Sequence, residues 1–172
     1  AGDNSEGFDK ISEKKFLYML ASDFYSVYNE KKYSVDYLIK RLGLLPPSNR
    51  LNPEKTPVAL LEKSILMNNI AAAYFALGDA DSSIDYLTGS LSISAAIKED
   101  NGLYMNLILL VNILNSGLLK KYESGKILQF ADFIGEYYPK IINKNIKLDF
   151  PLITGAAYFY YSFYNKNLLA AG

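Results

Sequence analysis

The sequence predicts an all-α fold, a right-handed superhelical array of antiparallel helical hairpins. Three observations predict it. Residues 64–91, SILMNNIAAAYFALGDADSSIDYLTGSL, carry apolar side chains at three-and-four spacing on both sides of a break at Gly78-Asp79. Proline, glycine and Asx clusters divide the rest of the chain into further stretches with the same spacing. Self-comparison brings Ile70 onto Val111, Ser83 onto Ser124, Leu87 onto Leu128 and Ser90 onto Ala131, a common offset of 41 residues.

Composition sets the frame. The 172 residues suit one domain with a sizeable core, and 50% hydrophobic against 21% charged residues argues for a folded chain. Eighteen basic and eighteen acidic residues cancel, so no overall field draws nucleic acid or an anionic membrane. Arg41 and Arg50 are the two arginines, which further disfavours phosphate and base recognition. The chain has no cysteine and no histidine, which removes disulfides, the usual zinc sites, thiol or Ser–His nucleophiles and imidazole acid–base chemistry. Asp79-Ala80-Asp81 and Glu99-Asp100 are tight acidic clusters that read as turn or cap residues, so neither an enzyme nor a cofactor or metal is expected. No transmembrane span is expected: the most apolar stretch, residues 103–119, is interrupted by Asn106, Asn112, Asn115 and Ser116, short of the roughly 18 apolar residues a span needs.

In chain order, residues 1–11 (AGDNSEGFDKI) are small, polar and expected to be a flexible tail. They fit either the edge of a cloned fragment or the end left by signal cleavage, so cytoplasmic and exported locations both stay open. A single helical domain is then expected over 12–172. Its irregular first repeat, 12–42, starts at Ser12 as a cap and carries Phe16, Leu17, Leu20, Phe24, Val27 and Tyr28 on an apolar stripe. A turn at 29–32 leads to a second helix with Val35, Leu38, Ile39 and Leu42 inward. The loop 43–56 holds Pro46, Pro47 and Pro53 and cannot be regular helix throughout. Thr56-Pro57 is a helix start, Thr as cap and Pro in the first turn. The central repeat, 57–98, has helices over 58–77 and 80–97. Residues 99–102 (EDNG) form a turn cluster. A third repeat spans 103–138 and ends at Pro139; a half repeat, 151–172, opens at Pro151.

The central unit resembles a tetratricopeptide repeat, in its longer-period form. Met67, Ile70, Ala71 and Tyr74 stand at the places of that family's Trp, Leu, Gly and Tyr, while Ser83, Leu87 and Ser90 hold the later small, large and small places. The closing proline is absent, and the 41-residue offset exceeds the family's usual period of about 34. Stacked hairpins of this kind each cover a face that one hairpin alone leaves wet.

The resemblance implies a concave groove lined by the first helix of each hairpin. It selects Phe24 from the first repeat, Ile65, Asn68, Asn69, Ala72 and Phe75 from the second, Asn106, Leu109 and Ile113 from the third, and Phe159 from the last. The third repeat also supplies Leu110 and Ser116, and the flanking helices offer Leu20 and Val27 on one side and Leu152 and Ala156 on the other. Asparagine disfavours helix interiors, so Asn68, Asn69 and Asn106 read equally as donors to a bound peptide backbone or as links between helices. The expected function is a non-catalytic scaffold that binds a peptide or protein segment in this groove. A sensor of a signalling peptide or small ligand is the alternative. The run YFYYSFY, from Tyr158 to Tyr164, is aromatic almost all round and reads as the stacking face for a missing half repeat, with a homo-oligomer contact or a membrane-interface belt as the alternatives.

Overall fold

The computed structural model describes residues 4–27, 29–47, 51–116 and 136–141. Among them lie five α-helices and no strand: α1 (Asn4–Val27), α2 (Lys31–Leu42), α3 (Pro57–Ala76), α4 (Ala80–Ala96) and α5 (Asp100–Asn115), with a 3-10 turn at Tyr138–Lys140. The all-α class is therefore observed. The rest of the third repeat, residues 142–150, and the half repeat with the YFYYSFY run lie outside the described residues.

α1 begins at Asn4, well before Ser12. Between them stand no proline and one glycine, Gly7, whose cost of about 1 kcal/mol does not stop a helix. The expected tail is therefore helical from Asn4. α1 packs antiparallel on α2 through its polar and tyrosine side. The Ser22 and Ser34 hydroxyls lie 3.4 Å apart, and the Tyr25 ring stacks on Tyr37 at 5.6 Å and 8°. The turn between them uses Asn29 in the left-handed region at φ 60°, which asparagine tolerates better than most residues. The loop after α2 turns inward at Leu45, which joins Leu38, Leu66 and Ile70 in a small core.

α3 starts at Pro57, as its signal predicts, but Thr56 does not cap it with its hydroxyl. Thr56 Oγ1 instead donates to the Asn52 carbonyl at 2.8 Å, inside an Asx turn where Asn52 Oδ1 accepts from the Glu54 and Lys55 amides. Glu62 ties three helices, with Lys15 of α1 and Arg41 of α2 each 3.2 Å from its carboxylate. These pairs are partly hydrated and are worth no more than about 1 kcal/mol each.

The central hairpin follows its sequence signals closely. Gly78, at φ 79°, makes the turn, and Asp79 caps α4 by accepting from the Ser82 amide at 3.1 Å and hydroxyl at 2.8 Å. The small residues sit where the helices cross. Ser83 Oγ donates to the Ala71 carbonyl at 2.7 Å, and Ser90 Oγ to the Ser64 carbonyl at 2.8 Å. Ser64 Oγ lies 2.7 Å from Ser94 Oγ. Gly89 leaves bare backbone on which Met67 rests: a Cβ there would fall 2.2 Å from Met67 Cε. Tyr74 stacks on Tyr86 at 5.8 Å. Burial, then Tyr86, Asp79 and Asp36, push its phenol above the ordinary tyrosine range.

The expected turn at 99–102 is instead a helix start. Glu99 accepts from the Gly102 amide, so Asp100, Asn101 and Gly102 form the first turn of α5, where an acidic side chain suits the helix dipole. α5 runs against α4 and beside α3. Leu87, Leu91, Leu103, Leu107, Leu110 and Ile113 are fully buried there, and Tyr137 and Ile141 close the same cluster. α1, α3 and α5 run parallel: Lys15 meets Glu62 while Ser22 and Ser26 share a hollow with Asn69 and Ala73, and Gly102 lies beside Ser94, the partner of Ser64, while Asn106 meets Asn68. α2 and α4 run the other way. The two junctions pair residues 47 and 38 apart, and the proline loop accounts for the longer one.

A cleft between α3 and α5

Parallel packing brings the exposed edges of α3 and α5 side by side around a cleft of about 370 Å³. α3 supplies Leu61, Ser64, Ile65, Asn68 and Asn69; Glu99, Asn101, Gly102, Met105 and Asn106 supply the other wall. Ile65 and Met105 are the open apolar surfaces, 51% and 54% exposed. The floor is a polar clamp. Asn68 Nδ2 donates to Asn106 Oδ1 at 2.8 Å, and Asn106 Nδ2 donates to the Gly102 carbonyl at 2.6 Å. Gly102 keeps the wall thin, because a Cβ would come within 2.7 Å of both Glu99 Oε2 and Ser94 Oγ.

The predicted groove residues therefore separate. Ile65, Asn68 and Asn69 line the cleft, with Asn69 also bordering a hollow of about 330 Å³ between α1, α2 and α3 that Ala72 helps to line. Asn106 is 1% exposed and joins helices, the structural of its two readings. Leu109, Leu110 and Ile113 are corrections, since all three are buried in the core. α5 is apolar nearly all round, and a helix of that kind is enclosed by its neighbours. Phe75 is half-buried against the same core, Phe24 is exposed on α1, and Phe159 lies outside the described residues. Sequence reading missed Leu61, Ser64, Glu99, Asn101, Gly102 and Met105. Taking Glu99 as a cap three residues before Gly102 would have extended α5 and set Gly102, Met105 and Asn106 on one face.

The cleft offers apolar walls with amides at their edges. Among the described residues, no group of three or more acidic side chains could hold a metal, and no helix is long and apolar enough to cross a membrane. Asp79 and Glu99 act as helix caps.

The Asn68–Asn106 clamp predicts a coupled loss. Asn106→Ala is expected to destabilise the fold by about 2 kcal/mol, from two hydrogen bonds and a small cavity. Adding Asn68→Ala should cost about 1 kcal/mol less than the sum of the single changes, as a double-mutant cycle in urea would measure. Strict additivity would mean that the two amides do not meet.

Comparison with protein-family models, with curated proteins and with solved structures returned no match.

Proposed function

We propose that the chain is a non-catalytic interaction module of tetratricopeptide-like hairpins that binds a protein segment along the α3–α5 cleft. The observation that carries this reading is that Ile65 and Met105, both more than half exposed, stand on the two walls of one cleft. Single exposed apolar residues are common on protein surfaces, but two facing each other over a concavity can enclose a third apolar group. The occupant would place an aliphatic or aromatic side chain between them. Its backbone would hydrogen-bond to the exposed amides of Asn69 and Asn101 at the rim. The groove is thus narrower than the tetratricopeptide resemblance implies, because α5 turns Leu109 and Ile113 inward.

Selection of displayed random peptides on the wild-type chain, then on the double variant Ile65→Glu/Met105→Glu, tests this. Both positions are exposed, so the charges stay hydrated and melting should move little. Enriched peptides should share an apolar anchor and bind the variant more than about tenfold more weakly, the effect of losing a buried anchor. Peptides that bind both chains equally would place the site elsewhere.

A further inference from the structure

α1 presents its most apolar side away from the fold. Phe16, Leu17, Leu20 and Val27 are 47–82% exposed, and Phe24, which meets the Tyr25 ring edge-on, is 56% exposed. The opposite side of the same helix, with Tyr18, Ser22 and Tyr25, packs on α2. Large apolar side chains thus stand on a side of this 24-residue helix that no described neighbour covers. We propose that the stripe is a self-association face, on which a second copy of this chain docks α1 against α1, antiparallel and two-fold about Leu20.

Three features favour a second copy. Phe16 and Phe24 stand four residues either side of Leu20, so Phe16–Leu20–Phe24 forms one ridge that reads the same in both directions. An antiparallel two-fold therefore sets Leu20 on the partner's Leu20 and Phe16 on the partner's Phe24, twice, with ridge packed into groove. Area is the second feature. Five large side chains, four about half exposed and Val27 more so, offer roughly 500 Å² per copy, and two copies reach the roughly 1,000 Å² that a specific interface needs. Charge is the third. Lys10, Lys14, Glu13 and Asp23 are all exposed on this helix, so the face repels neither itself nor a copy.

Sedimentation of the 172-residue chain over a concentration series tests the proposal, with L20E and L20C beside the wild type. The wild type is expected to double in mass. L20E should keep its helical circular dichroism and weaken the dimer by more than about tenfold. Because the chain has no cysteine, L20C under mild oxidation should form a disulfide-linked pair, whereas I65C should not. A wild type that stays monomeric, or a dimer that survives in folded L20E, overturns the proposal. So does a dimer that L20C fails to cross-link, or a monomer that floats with anionic lipid vesicles and loses them in L20E.

Discussion

Ile113→Glu is expected to leave the chain without a cooperative folded state at neutral pH. Ile113 is 0% exposed and sits within the cluster of Leu103, Leu107, Leu110, Tyr137 and Ile141. An ionised carboxylate there loses its hydration with no described cation in that cluster to replace it. The cost, several kcal/mol, is comparable to the roughly 5–15 kcal/mol by which a domain of this kind is stable. Burial favours the neutral acid, so the glutamate would titrate above its ordinary range in any folded state. Its folded pKa being the raised one, residual folding should grow as pH falls and vanish as pH rises. The measurement is thermal melting by circular dichroism at several pH values, with Ile65→Glu as the control. Ile65 is 51% exposed, so that change should stay within about 0.5 kcal/mol of wild type. A cooperative melt for Ile113→Glu close to that of Ile65→Glu would mean that α5 turns Ile113 to water, and the wider groove would return.

The contrast between these two isoleucines marks what the sequence could and could not say. Where a local signal has one physical meaning, it was legible. Gly78 had to make a positive-φ turn, Pro57 had to open a helix, and Ser83 and Ser90 could only be small residues at a close crossing. Where a helix is apolar on every side, periodicity carries no direction. LILLVNIL in α5 therefore gave no sign that Leu109 and Ile113 face the core while Met105 faces out. α1 misled in the opposite sense: its stripe was plain, but the side that packs is the one bearing Tyr18, Ser22 and Tyr25. The asparagines were open for a similar reason. An amide mid-helix suits a ligand or a neighbouring helix equally well, and only the parallel placement of α3 and α5 sets Asn68 on Asn106. Cap chemistry was the remaining gap, since EDNG fits a free turn as readily as a glutamate cap with the helix already under way.

Ser90→Leu is expected to cost about 3 kcal/mol or more, and Ser90→Ala about 1 kcal/mol. Ser90 is 0% exposed, with its hydroxyl 2.8 Å from the Ser64 carbonyl of the facing helix. Alanine removes that hydrogen bond and leaves the crossing as close as before; the Ser64 hydroxyl keeps Ser94 as partner at 2.7 Å. Leucine adds three carbons where two backbones nearly touch, and α3 and α4 must separate to admit them. The displacement has a defined route to the cleft. Ser94, one turn further along α4, stands close enough to Gly102 that a Cβ there would meet its hydroxyl at 2.7 Å, and Gly102 belongs to the cleft wall. Urea melts of the two variants should therefore separate sterics from hydrogen bonding, and peptide binding by each should show whether the cleft depends on the crossing. Ser90→Ala should bind as the wild type does, whereas Ser90→Leu should bind weakly even below its melting point. Equal stability of the two variants would mean that the helices do not approach through their small residues. Full binding by a folded Ser90→Leu would mean that α5 holds its place beside α3 without help from α4, leaving the Asn68–Asn106 clamp to set the width of the cleft.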